Sequence, residues 1–271
     1  MKVDLVMWAK NGSETLPQVL KRISDVIPSK NINKRIFVDD HSKDYSVEIA
    51  ERFGWKVYEN REGFISGGVR EALKHVTSEF FVSVEQDVIL AKDWWNVIPK
   101  YMREPNVAVA EGIRIRYPPN KTLDSIEEYT FERFSHRPLH ITLDNNIFRT
   151  KIIRKIGIPT KYPLSVDLAL YERLQRASYK WIIDKNVVSY HLRKGVTHEI
   201  LHRHKHSVLT KTRRFESTDF MRLLKIFMFS PIRGIDIMIK KRCPTAFFVY
   251  PFMRLIILKT FRDRRRYWGK E

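Results

Sequence analysis

Short apolar runs alternate with stretches of helical spacing through the first two thirds of the chain. Val3 to Trp8 (VDLVMW) reads as a strand, and Asn11-Gly12 marks a turn after it. From Ser13 to Val26, Leu16, Val19, Leu20 and Ile23 recur on one side, which predicts an amphipathic helix. RIFVDD (Arg35 to Asp40) predicts a second strand, Ser46 to Phe53 a helix stopped at Gly54, and WKVYEN a third strand. Gly67 to His75 reads as a helix and FFVSV as the next strand. Val107 to Tyr117 predicts a strand that ends at Pro118-Pro119. Ile141 to Ile156 reads as a loop leading into a helix, Val166 to Ala177 as a helix, and WIID and VVSYH as strands. Elements alternating in this way predict an α/β fold, a mostly parallel sheet flanked by helices. Ligands of such sheets lie beyond the carboxyl ends of the strands. The polar strand ends are Lys10-Asn11, Asp39-Asp40, Asn60 and Glu85-Gln86-Asp87, and they should cluster at one edge.

The pattern changes toward the C-terminus. FMRLLKIFMF, capped by Thr218-Asp219, reads as a helix. Ser230-Pro231 starts another, and Pro244 interrupts before AFFVYPFMRLIIL. No run reaches the ~18–20 uninterrupted apolar residues of a spanning helix. Charge divides the chain at the same place. Residues 1–190 hold 30 Lys/Arg against 25 Asp/Glu, a net +5; residues 191–271 hold 20 against 6, a net +14. A basic segment that binds only nucleic acid has no need of this aliphatic and aromatic bulk. The mixture suits an anionic membrane surface, with RDRRRYW placing basic and aromatic residues at a headgroup interface. The alternative is that these helices pack on the rest of the chain or pair two copies as a homodimer.

One cysteine, Cys243, excludes a disulfide framework and a cysteine zinc site, and fits a reducing compartment. The first apolar run is too short and too soon interrupted to read as a signal peptide.

The richest chemistry lies in FFVSVEQD (Phe80 to Asp87). Alternation along a strand puts residues i and i+2 on one side. Glu85 and Asp87 can therefore face one point, where a hard divalent cation could sit. The plain alternative is a strand ending in a polar loop. Asp39-Asp40 likewise reads as a strand end or as a cap, and Arg70 as a solvated helix residue. Asp167 has good cap composition, and His191 reads as a satisfied strand-end histidine. His198 to His202 (HEILH) matches the His-Glu-x-x-His zinc pattern. The Arg203, His204, Lys205 and His206 that follow oppose cation binding, so a basic solvated segment is the better reading.

In this order the motifs resemble those of family-2 glycosyltransferases with the GT-A fold, over roughly residues 3–195. VDLVMWAKNGSETLPQVL resembles the family's first strand, Asn-containing loop and helix; RIFVDDHSKD its second strand with paired Asp. FISGGVREALKHVTSEFFVSVEQDVIL resembles the Gly-rich segment, the Arg-containing helix and the strand leading to an Asp-x-Asp metal motif. DNNIFRTKIIRKIGIP with SVDLALYERLQRASYKWIID resembles the acceptor-side block, and VVSYH a strand ending in a late histidine. The resemblance implies an inverting, nucleotide-sugar-dependent transferase using Mn2+ or Mg2+. Glu85, Asp87 and His191 would hold the metal. Ala9, Asn11, Asp39, Asp40, Arg70 and Gln86 would bind the nucleotide sugar, and Asp167 would be the general base. The chain departs from the family pattern in Glu85 for Asp, Val166 for Glu, Lys10 for an aromatic residue and Glu71 for Asn.

The expected organisation is a catalytic domain over 1–195, with a donor half (1–117) and an acceptor half (118–195), and a basic amphipathic helical segment over 196–271. The acceptor would be a lipid-linked or membrane-proximal glycan, or else a polyprenyl phosphate. The expected location is the cytoplasmic face of a membrane, peripherally bound. A non-catalytic basic nucleic-acid-binding protein is the contrasting class. The ordered acidic motifs in the less basic part of the chain argue against it.

Overall fold

The structure, a computed structural model, describes residues 1–134, 141–159, 166–193, 195 and 220–268. The Thr218-Asp219 cap and the His198 to His206 segment lie outside the described residues.

Residues 1–115 and 140–192 form one compact unit. Its strands are β1 (Val3–Ala9), β2 (Ile32–Asp39), β3 (Lys56–Glu59), β4 (Phe80–Val84), β5 (Val88–Ile89), β6 (Val107–Tyr117, which runs out of this unit at its end), β7 (Asn145–Arg149) and β8 (Lys180–Leu192). They make one sheet in the order β3-β2-β1-β4-β7-β6-β8-β5. β3, β2, β1 and β4 run parallel. Parallel neighbours need crossovers, and α1 (Leu16–Val26), α2 (Ser46–Arg52) and α3 (Phe64–His75) supply them, while the short α4 (Trp94–Val97) follows β5. β7 is antiparallel to both β4 and β6, and β5 to β8, so the sheet is mixed.

β1 is buried along its whole length. Its alternate residues enter different cores: Val3, Leu5 and Met7 join α1, while Val6 and Trp8 join Val69 and Ala72 of α3. Leu16, Val19, Leu20 and Ile23 are the buried face of α1, as their spacing predicts. α6 (Thr150–Ile156) and α7 (Val166–Arg176) contribute Ile152, Ile153, Leu170 and Leu174 to the second core.

Three of the segments assigned from the sequence fold differently from that reading. α3 starts three residues earlier, at Phe64. WIID and VVSYH belong to one continuous strand, β8. Ile141 to Ile156 is not a loop leading into a helix: Asn145–Arg149 is an interior strand. Asn is depleted in strands, which hid it. Here the sheet satisfies both side chains. Asn145 Nδ2 donates to Ile113 O at 3.3 Å and Asn145 Oδ1 accepts from Ser189 Oγ at 3.1 Å. Asn146 Nδ2 donates to Glu111 Oε2 at 3.1 Å and Thr142 O at 3.0 Å.

Residues 116–139 and 193–271 group as a second unit. Its helices are α5 (Lys121–Phe134), α8 (Phe220–Met228), α9 (Ser230–Lys240) and α10 (Ala246–Trp268, with Pro251 inside). Ile126, Tyr129, Ile237, Cys243, Ala246 and Tyr250 make its core. Polar bonds support it: Tyr129 Oη donates to Asp236 at 2.6 Å, and Lys241 Nζ lies 3.0 Å from Glu128 and 2.9 Å from Glu132. Among the described residues no helix is long and apolar enough to cross a membrane.

Candidate active site

The parallel register brings the carboxyl ends of β1, β2 and β3 level. Ala9 pairs with Asp39, Asp40 N donates to Ala9 O at 2.8 Å, and Asn60 N donates to Asp39 O at 2.8 Å. Asp40 takes Lys10 Nζ at 3.0 Å on one oxygen and Asn60 Nδ2 at 3.2 Å on the other. Asp39 Oδ2 accepts from Ser42 N at 3.0 Å. Among the described residues its Oδ1 is buried without a hydrogen-bond partner, as is Asn60 Oδ1. Two buried acceptors lacking donors are unusual, and they suit a ligand that carries N–H or O–H groups.

Asn11 ties the first loop to the second. Its N–H donates to Ser42 Oγ at 2.9 Å and its Oδ1 accepts from Lys43 N at 2.8 Å. Gln86 fastens the same loop to the acidic motif: Oε1 accepts from Lys10 N at 2.8 Å, and Nε2 donates to Lys10 O at 3.1 Å. Both ends of the Gln86 amide thus engage backbone, and a Cβ on Gly12 would lie 2.7 Å from Gln86 Oε1. Arg70, on α3, donates through Nε at 2.8 Å and through Nη2 to Glu62 Oε2. This pairing holds the Glu62 carboxyl below its ordinary range. Arg70 Nη1 is buried without a partner among the described residues.

Glu85, Gln86 and Asp87 leave the end of β4 half-buried. β5 follows and pairs with the far end of β8, so that Val88 faces His191. This returns His191 Nε2 to 3.1 Å from Asp87 Oδ2. Asp87 and His191, 104 positions apart, therefore present a carboxylate oxygen and an imidazole nitrogen side by side, both able to bind a metal ion. Among the described residues no group of three or more His, Cys, Asp and Glu side chains could hold a metal ion. An ion between Asp87 and His191 would complete its shell from elsewhere, which suits a cation bound together with phosphate oxygens.

Asp167 lies in the first turn of α7 and accepts from the Leu168 N–H at 2.8 Å. Burial pushes its carboxyl above the ordinary range, opposed by that N–H and by the charge of Arg114. A raised carboxylate is the more basic one.

Sequence reasoning passed over a buried polar group between β6 and β7. Glu111 is fully buried and accepts from Thr142 Oγ1 at 2.8 Å, Trp181 Nε1 at 2.7 Å and Asn146 Nδ2. Burial outweighs these donors and pushes its carboxyl up to about 8. Arg114, three residues on, donates to Asp144, which is 1% exposed. Asp144 directly precedes Asn145, whose pairing with Val84 ends the β4–β7 ladder one residue before Glu85. The Asp-Asn-Asn run was the one signal that could have drawn attention to it.

The model of the family described as "Glycosyl transferase family 2" matches residues 4–160. No curated protein sequence matches the chain. Among solved structures, the mannosyltransferase PcManGT from Pyrobaculum calidifontis, in complex with GDP-Man and Mn2+, is similar at TM-score 0.66 and 14% identity, over 100% of this chain and 88% of that one. Glucosyl-3-phosphoglycerate synthase from Mycobacterium tuberculosis, in complex with phosphoglyceric acid, matches at 0.55 and 14%, over 73% of this chain and 74% of its own. S. aureus TarS 1-349 matches at 0.54 and 14%, over 100% and 92%.

Proposed function

The chain belongs to glycosyl transferase family 2 and is a nucleotide-sugar-dependent glycosyltransferase, and from that premise we propose a metal-dependent, inverting transfer to an acceptor hydroxyl at a membrane surface. The observation that carries this reading is the meeting of Asp87 and His191 at the edge where the parallel strands end. Asp87 and His191 would hold Mn2+ or Mg2+ with donor diphosphate oxygens, and Glu85 would stand beside them. When bound, that cation offsets the negative charge that grows on the departing diphosphate.

The chain's own residues supply the rest. Asp39 Oδ1 and Asn60 Oδ1, lacking donors, would accept from the base or ribose. Asp40, closer to the loop, would border the same pocket. Arg70 Nη1 would face the diphosphate. Ala9, Asn11 and Gln86 would shape the pocket wall, since the Asn11 and Gln86 side chains are bonded to neighbouring backbone. Asp167 would take the acceptor's proton as the hydroxyl oxygen bonds the anomeric carbon from the side opposite the leaving diphosphate. The anomeric C–O bond to phosphate breaks, the nucleoside diphosphate leaves with the electron pair, and the configuration inverts. The likeness to a protein solved with GDP-Man and Mn2+ supports a donor of this class.

The test is binding of UDP and GDP in the presence and absence of Mn2+, by calorimetry, for wild type and Asp87→Ala. The variant should lose the Mn2+-dependent part of binding and keep its fold by circular dichroism. Undiminished Mn2+-dependent binding would remove Asp87 from the metal site.

A further inference from the structure

The cation on α3 that would meet the donor diphosphate is Arg70, and an acid of the same chain already engages its guanidinium. Nε donates to Glu62 Oε2 at 2.8 Å, and Nη2 donates to the same oxygen. Both donors converge on one carboxylate oxygen, although a guanidinium edge fits two acceptors side by side. The third nitrogen, Nη1, is buried without a partner among the described residues. The two side chains differ in burial, Arg70 being 23% exposed and Glu62 50%. Packing therefore seats Arg70, and Glu62 reaches it from the solvent side. We propose that Glu62 is an internal competitor for the donor diphosphate, an anion of the chain's own that occupies the Arg70 fork and swings out to solvent when the phosphates arrive. This rests on the reading of Arg70 as a diphosphate ligand.

The connection from β3 to α3 places Glu62 for that exchange. Gly63 N donates to Asn60 O at 3.3 Å, and Asn60 Nδ2 donates to Phe64 O at 2.8 Å. Gly63 and Phe64 take positive φ, 69° and 60°, as the chain turns into the helix. That region is costly for a bulky residue such as Phe64. Gly67 lets the loop lie on the first turn of α3, since a Cβ there would meet Glu62 Cβ at 2.9 Å. The Glu62 backbone is thus fixed against the helix, and only its side chain needs to turn. Other nearby acids have cations of their own. Glu71 on the same helix pairs with Lys74 and His75, and Asp40 at the end of β2 pairs with Lys10. The hydrogen bond from Arg70 holds the Glu62 carboxyl below its ordinary range, so the competitor is charged at neutral pH. A half-exposed ion pair of this kind is weak, whereas a diphosphate brings oxygens enough for all three guanidinium nitrogens.

Competition predicts tighter binding when the acid is removed, and a merely structural pair predicts the opposite. Affinities of UDP and GDP, each set against its own nucleoside, are measured by calorimetry on the full chain with Mn2+. Glu62→Gln should tighten the nucleoside diphosphates by roughly two- to fivefold, the scale of a half-exposed ion pair, and leave uridine and guanosine unchanged. Glu71→Gln removes the same charge beside Arg70 without touching the Glu62 contact, and should give no such gain. In an Arg70→Gln background the Glu62→Gln gain should vanish, as a cycle of the two changes requires if they act as one pair. Weaker or unchanged diphosphate binding in Glu62→Gln overturns the inference, because Glu62 then supports Arg70 or is idle. An equal gain in Glu71→Gln also overturns it, by making the effect one of net charge. The reading of Arg70 stands or falls separately, on whether Arg70→Gln lowers the preference for diphosphate over nucleoside.

Discussion

Glu111 is the residue whose position conflicts most with its chemistry. Three donors aim at a carboxyl with no access to water, yet burial prevails and the group ionises only at about 8. Its unfolded counterpart titrates near 4.5. Between those values the folded chain binds a proton that the unfolded chain has released. Stability from this group therefore falls as pH rises from about 4.5 to about 8, and is level outside that window. Glu111→Gln cannot ionise. It loses one good acceptor, because its amide N–H2 meets the Asn146 donor, so at pH 5 the variant should be less stable than wild type. By pH 8 the gap should narrow or reverse. Urea unfolding of both proteins at the two pH values measures this, and a gap that stays constant would place the proton elsewhere.

The elements show which features a linear reading can reach. β1, β4 and β6 are apolar runs longer than their breaks, and α1 carries its apolar residues at helical intervals, so local pattern suffices for them. The acidic motif was legible for the same reason, since two carboxylates at strand spacing follow directly on a buried strand. β7 was not, because its two asparagines are paid for by Glu111, Ile113 and Ser189, partners about 32 to 44 positions away. The Arg114–Asp144 contact was hidden likewise, as it depends on two strands whose pairing no spacing announces. Close approach is another feature that only the fold displays. A Cβ on Gly68 would sit 2.7 Å from Trp8 Cβ, and one on Gly67 would sit 2.5 Å from Asn60 Oδ1. These glycines let α3 lie against the ends of β1 and β3 and bring Arg70 to the donor pocket proposed above. Gly68→Ala must push α3 off Trp8, an overpacking penalty of about 1–3 kcal/mol. Urea unfolding should show that loss, and nucleotide affinity should fall with it as Arg70 moves. Wild-type stability and affinity together would mean that α3 yields without consequence.

At the scale of the whole molecule, charge and exposed apolar surface coincide in the C-terminal helices. α9 buries Ser230, Gly234 and Ile237 and exposes Ile232, Ile235 and Ile239, which recur on one face. α10 buries Ala246 and Tyr250 and exposes Phe248, Phe252 and Leu255. The two helices pack closely, with Gly234 against the backbone of Phe247. Ile239 and Phe248 are 67% and 72% exposed among the described residues, and exposed apolar stripes of this kind mark interaction surfaces. The same stretch of chain, from residue 191, holds 20 Lys/Arg against 6 Asp/Glu. A second copy of the chain would cover the apolar stripes but would bring its own positive charge with it. An anionic bilayer answers both features, since each basic residue near its surface contributes about 1 kcal/mol and the apolar side chains enter the interface. The protein should therefore sediment with vesicles containing phosphatidylserine or phosphatidylglycerol and remain in solution with purely zwitterionic vesicles. High salt should release much of it by screening. Replacing Ile232, Ile239 and Phe248 together with Ser should weaken binding at every salt concentration while donor-nucleotide binding is kept. Indifference to anionic vesicles, together with a dimer that these same three substitutions dissociate, would make the stripes a contact between copies and refute the membrane reading.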